Sequence, residues 1–171
     1  MEKTLKIMNV NFVEKKDNLI IIKNNKAIAI NKEIIEIFKK YLQDKNYKKE
    51  AGGILVGREN NEKISIDFAT EPMKKDKRKK NRFYRKDLKH IDFFNNIREI
   101  KGNIYGYIGE WHTHYEEDPT PSSIDIENWN NILKESEEEK YSTINIIVGI
   151  NFINFFICDS TGIKVGGKMK I

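Results

Sequence analysis

The sequence predicts an α+β domain, a sheet with mixed or antiparallel pairing packed by helices. Two observations carry this expectation. Short β-type runs separated by polar turns cluster toward both ends of the chain, and three segments of helical period are set singly between them. With 171 residues the chain can bury a full core without staples, and it is read as one domain, 1–171, with a basic, insertion-like segment at about 72–89.

Leu19 to Ile22 and Ala27 to Ile30 are β-type runs flanking the turn Lys23-Asn24-Asn25-Lys26. The period then changes. Ile34, Ile37, Phe38, Tyr41 and Leu42 recur at helical spacing behind an Asn31 cap, which predicts a helix from about Lys32 to Asp44. Ala51 to Gly57 and Ile64 to Phe68 read as strands joined by Glu59-Asn60-Asn61-Glu62. Leu88, Ile91, Phe94 and Ile97 mark a second helix ending near Gly102, and Ile104 to His114 reads as a strand. Asp125 to about Glu138 is a third helix with Ile126, Trp129, Ile132 and Leu133 on one side. Thr143 to Ile150, Phe152 to Cys158 and Ile163 to Met169 close the chain as three strands.

A charged fraction of 33% beside 39% hydrophobic residues excludes a disordered chain. The longest apolar stretch, Ile144 to Ile157, is broken by Asn145, Gly149, Asn151 and Asn154, which makes it a poor membrane span. Lys3, Lys6 and Asn9 interrupt any signal core, so a cytoplasmic location is expected. Cys158 is the single cysteine, which excludes an internal disulfide and sites built from several thiolates, the Pro-Cys-x-x-Cys pair of zinc deaminases among them. The net charge is +5, but Lys74 to Lys89 holds ten Lys or Arg against two Asp, a local +8, leaving −3 elsewhere. Such a segment suits an acidic protein partner or phosphates. It is read as a substrate-docking surface outside the catalytic shell, with Lys77, Arg78, Lys79 and Lys80 as candidate contacts.

Two of the three histidines stand one residue apart in Glu110-Trp111-His112-Thr113-His114, and Asp125 follows behind Pro119 and Pro121. On a strand His112 and His114 share a face, and the turn can bring Asp125 round to complete three ligands. Two imidazoles and a carboxylate suit Zn2+, one per chain, with a fourth position open for water. Ser122-x-x-Asp125 also reads as a capping box; next to the histidines Asp125 is assigned to the metal and Ser123 to the cap. By proximity the candidate bases are Glu110, Glu116, Glu117 and Asp118, of which Glu110 shares the His112 face.

His112-Thr113-His114, seven residues, then Ser122-x-x-Asp125 resembles the JAMM motif of the JAB/MPN metalloproteases in residue type and spacing. Glu50-Ala51-Gly52-Gly53-Ile54-Leu55-Val56-Gly57 is similar to the glutamate strand of that family. The resemblance implies an MPN/JAB-type sheet packed by helices, a cytidine-deaminase-like layered architecture. It also implies His112, His114 and Asp125 as zinc ligands, Glu50 as general acid/base in place of Glu110, and Ser122 as the hydroxyl that steadies an oxyanion. One departure is Tyr115, where the family usually has proline after the second histidine.

Tyr107 to His114, Pro119 to Asp125, Trp129, Arg82 to Asp87 and His90 resemble a bacterial branch labelled integrative-conjugative-element proteins, some of which sit in CBASS antiphage operons. That resemblance implies a deubiquitinase-like isopeptidase that removes a ubiquitin-like or CD-NTase C-terminal tail from lysine, working beside an E1/E2-like partner, with no membrane involved. An extended tail could add to a sheet edge, with Gly52, Gly53 and Gly57 admitting close backbone approach. Two other classes compete. A non-catalytic MPN scaffold is disfavoured by the full ligand set. Nucleic-acid binding through the basic segment, with Phe83 and Tyr84 stacking on bases, would show as salt-sensitive, zinc-independent binding.

Overall fold

The computed structural model of the chain describes residues 11–15, 18–23, 26–135 and 142–171. Asn24 and Asn25 of the expected first turn, and the expected third helix beyond Glu135, lie outside them. The described residues form, in order, β1 (Asn11–Lys15), β2 (Asn18–Lys23), β3 (Lys26–Asn31), α1 (Lys32–Lys40), β4 (Gly52–Glu59) and β5 (Lys63–Ala69). Then come β6 (Lys77–Lys79), β7 (Arg82–Tyr84), α2 (Lys89–Lys101), β8 (Gly106–Thr113), α3 (Ser123–Glu135), β9 (Thr143–Val148), β10 (Phe152–Asp159) and β11 (Gly162–Lys170).

Nine strands build one sheet in the order β1-β2-β3-β5-β4-β8-β9-β10-β11, and β6 and β7 form a separate hairpin. Two junctions of the large sheet, β3 with β5 and β8 with β9, are parallel, and its other pairings are antiparallel. The architecture is therefore α+β with a mixed sheet, as the sequence predicts. A parallel pair needs a crossover, and α3 supplies it between β8 and β9. The loop leaving β8 and the first turn of α3 thus lie together at one end of the sheet, the position where βα units place their chemistry.

Alternation along the strands sorts the helices. Ile144, Ile146 and Val148 of β9 and Phe155 of β10 join the core that α1 covers with Ile34, Ile35 and Phe38. Ile147 and Phe156 point the other way, against Trp129 of α3, and Ile54 and Val56 of β4 meet Ile97 of α2. Helix α1 therefore covers one face of the sheet, and α2 and α3 cover the other. A bulge in β8 adjusts the phase. Leu55 pairs with Gly109 and Val56 with Tyr107, which leaves Ile108 as the extra residue. Ile108 and Trp111 can then both enter the α1 core while His112 keeps to the α3 face. Gly109 is required there: its φ is 145°, and a Cβ would lie 1.8 Å from the Ile144 carbonyl oxygen.

Asn31 caps α1 as expected, its side chain accepting the Glu33 N–H at 3.0 Å. The helix ends at Lys40, about one turn before the expected Asp44. Gln43 explains this. Fully buried, it donates to the carbonyls of Lys48 and Lys80 and accepts from the Thr113 hydroxyl at 3.0 Å, bonds that draw the chain away from the helix axis. Thr113 Oγ1 in turn accepts the Ala51 N–H at 2.9 Å, and Thr113 N–H donates to the Ala51 carbonyl. This staple joins the start of β4, just after Glu50, to the end of β8, between the two histidines.

Candidate metal centre and acid/base groove

His112 is the penultimate residue of β8 and His114 lies one residue beyond its end. The rings converge, with Nε2 to Nε2 at 3.0 Å. Asp125 comes from the first turn of α3, its Oδ1 3.3 Å from His112 Nε2 and its Oδ2 3.4 Å from His114 Nε2. A tetrahedral zinc with bonds of 2.0–2.1 Å sets its ligand atoms about 3.3–3.4 Å apart. The three side chains suit that ion in donor type, and among the described residues they are a group that could hold a metal ion.

The capping-box reading of Asp125 holds, beside its place in the three-residue cluster. Its Oδ2 accepts from the Ser122 N–H and hydroxyl, each at 2.7 Å, while Ser122 Oγ accepts the Asp125 N–H at 3.2 Å, a reciprocal capping box. The cap is therefore Ser122, not Ser123. Burial works against the Asp125 charge, yet hydrogen bonds from His112, His114 and Ser122 hold its carboxyl far below the usual range. Burial likewise opposes charge on His114, but the Asp125 carboxylate leaves its pKa raised.

Glu50 stands two residues before β4, in which Gly52 pairs with His112. Only 7% of it is exposed. Burial pushes its carboxyl up to about 6, against the pull of His112 and His114 and of a hydrogen bond from the Phe83 backbone. A groove of about 700 Å³ contains Glu50, His112, His114, Ser122 and Asp125. One wall is the β6–β7 hairpin, with Lys80, Arg82 and Phe83 through Lys86, and the facing wall is α3, with Asn128, Asn131 and Ile132. Glu110 is also on the groove but is ion-paired with Arg85.

The basic segment is not a bare surface loop. Glu50 N–H donates to the Lys79 carbonyl at 2.8 Å, and the Arg78 guanidinium donates to the carbonyls of Glu50 and Lys49 at 2.8 and 2.9 Å. Arg78 also lies over the Tyr41 ring. The sequence reading set Arg78 among surface docking contacts; its guanidinium instead points inward and braces the chain at Glu50. Lys77, Lys79 and Lys80 are exposed. The glycines too have intrachain neighbours. A Cβ on Gly52 would meet the Trp111 carbonyl at 2.5 Å and the Phe83 ring at 2.7 Å, and one on Gly53 would meet the Thr70 carbonyl at 2.1 Å. Within the chain, the close approach they permit is of the hairpin and of Thr70.

The buried carboxylate gives a stability prediction for metal-free protein. Between pH 4.5 and about 6 the folded state keeps a proton on Glu50 that the unfolded chain has lost, so stability falls as pH rises through this window. Above it the cost is about 1–2 kcal/mol. Glu50→Gln should therefore raise the unfolding free energy by about that much at pH 7.5 and by close to nothing near pH 4. Urea unfolding of chelated protein at both values checks this, and an equal gap at both would contradict it.

Residues 38–156 match the family of prokaryotic homologues of the JAB domain. A CD-NTase/cGAS isopeptidase from Pseudomonas aeruginosa is 30% identical over 139 residues, 81% of this chain and 87% of its own length. A protein of the same name from Escherichia coli is 31% identical over 125 residues, 71% and 75% of the two chains. In fold, the chain resembles the solution structure of a Desulfitobacterium hafniense protein, with TM-score 0.51, 16% identity and coverage of 81% and 88%. The match spans both histidines, Asp125 and Glu50, and with it the chain belongs to the JAB/MPN family, in the bacterial branch that holds the CD-NTase/cGAS isopeptidases.

Proposed function

We propose that this protein is a zinc-dependent JAMM-type isopeptidase. It cleaves a ubiquitin-like or CD-NTase C-terminal tail from a lysine of a target protein, in a CBASS-type antiphage system with an E1/E2-like conjugating partner. It does so as one domain of the layered MPN, cytidine-deaminase-like kind. The observation that carries the reading is the placement of a three-donor metal cluster and a separate buried carboxylate in one groove. The names of its bacterial relatives support the choice of bond. Among the described residues no helix is long and apolar enough to cross a membrane.

Zinc held by His112, His114 and Asp125 would supply Lewis acidity and a more acidic water. The protein supplies the rest. Glu50, raised to about 6, is ionised at pH 7 yet close enough to neutrality to accept the proton of the attacking water and pass it to the leaving lysine amine. The Lys79 carbonyl and the Arg78 guanidinium hold the Glu50 main chain in place. Ser122 lines the groove with its hydroxyl directed at Asp125; turned to the scissile carbonyl oxygen, it stabilises the developing negative charge, a contribution of about 3 kcal/mol. The test is a lysine-linked tail conjugate incubated with the protein, with products weighed by mass spectrometry. Free tail carboxylate and unmodified lysine are expected. Release at a backbone peptide bond instead would overturn the isopeptidase reading.

The exposed cations of the hairpin give a second expected result. Neutralising Lys77, Lys79 and Lys80 should raise KM for an acidic conjugate severalfold at low ionic strength and less at moderate ionic strength, with kcat and zinc content unchanged. Unchanged KM under both conditions would remove the docking role.

A further inference from the structure

The two acids inside the basic segment are both turned to structure. Asp76 has a completely buried side chain, and among the described residues it makes no ion pair with any lysine or arginine. Its carboxylate instead takes four hydrogen bonds: from Met73 N–H at 2.7 Å, Lys86 N–H at 2.8 Å, Asp87 N–H at 2.9 Å and His90 Nε2 at 2.8 Å. Asp87 accepts from the N–H groups of Lys75 and Lys89. Both ends of the β6–β7 hairpin are thereby tied together at its base.

His90, fully buried, passes this clasp to the sheet. Its Nδ1 lies 2.6 Å from Thr70 Oγ1, which accepts the Ile54 N–H at 2.9 Å. A carboxylate only accepts, so Nε2 presents its N–H to Asp76, while Nδ1 and the Thr70 hydroxyl share the other bond. The Thr70 carbonyl also accepts the Trp111 indole N–H at 2.9 Å, next to His112. A hairpin with three-residue strands is marginal by itself. One that only displayed positive charge would not require a buried carboxylate, which is costly unless its hydrogen bonds are all made. What this hairpin does hold is the Glu50 backbone, through the Lys79 carbonyl and the Arg78 guanidinium.

We propose that Asp76 and His90 are positioning residues for Glu50: they close the base of the hairpin and seat it on Thr70, so that the hairpin holds the Glu50 main chain and with it the place of the side chain in the groove. This rests on the reading of Glu50 as the proton carrier. Misplacing a reacting group by about 1 Å can cost on the order of a hundredfold in rate, so loosening the clasp acts on turnover rather than on binding.

The test uses Asp76→Asn and the milder His90→Gln in zinc-loaded protein, with Glu50→Gln alongside. For both clasp variants kcat on a lysine-linked conjugate should fall roughly tenfold or more with KM and zinc content unchanged. In hydrogen exchange, the amides of Glu50 and residues 77–84 should exchange at least tenfold faster while those of β9 and β10 keep wild-type protection. Protection lost across β9 and β10 in both variants would make the pair a general stability element and overturn the proposal. So would wild-type kcat despite a loosened hairpin, or a rise in KM alone. Wild-type turnover in Glu50→Gln would instead defeat the reading of Glu50 itself, while the exchange data would still report whether the clasp holds the hairpin.

Discussion

Replacing Glu50 by glutamine should reduce hydrolysis by about 10²–10⁴-fold, the range supplied by general acid/base catalysis, with zinc content unaltered. Glutamine keeps the size of the side chain, but it cannot take a proton from water at pH 7. Glu110→Gln should stay within a few-fold of wild type, because Glu110 is already paired with Arg85. Steady-state kinetics on the two variants separate the carboxylates. Loss of turnover in Glu110→Gln with near wild-type turnover in Glu50→Gln would reverse the assignment.

His112→Ala, His114→Ala and Asp125→Ala should each lower bound zinc from about one per chain toward none and abolish activity, since two donors do not hold zinc as three do. Asp125→Ala carries an additional cost. It removes the acid of the capping box with Ser122, a loss of about 1 kcal/mol that the histidine variants do not share. Elemental analysis with thermal unfolding of the chelated variants reads both effects. Full zinc content in any of the three would remove that residue from the ligand set.

The three-donor cluster was legible because it is local. His112, His114 and Asp125 fall within one strand end, one turn and one helix start, and strand alternation together with the Ser122-x-x-Asp125 spacing predicts their convergence. Periodicity placed the helices, and their ends were less legible. Gln43 leaves α1 for partners as far along the chain as Thr113, 70 residues on, and no window of the sequence contains both. Glu50 came into view through the family resemblance rather than through proximity to the histidines. The basic segment was the largest difference. Composition exposes its ten charges, but whether Arg78 faces solvent or the Glu50 carbonyl depends on a hairpin of three-residue strands whose anchors, Asp76, His90 and Thr70, become adjacent only in the folded chain. Within the run, the polar residues that broke the basic pattern, Asp76 and Asp87, were the available signal.

The most direct test of the zinc isopeptidase assignment is turnover of a lysine-linked tail conjugate by chelated protein as zinc is restored in known equivalents. Turnover should be absent without metal, rise linearly to a plateau at one zinc per chain, and stay absent throughout in Glu50→Gln that binds the same single zinc. Cleavage by chelated protein, or cleavage at full strength in the zinc-loaded Glu50→Gln variant, would contradict it.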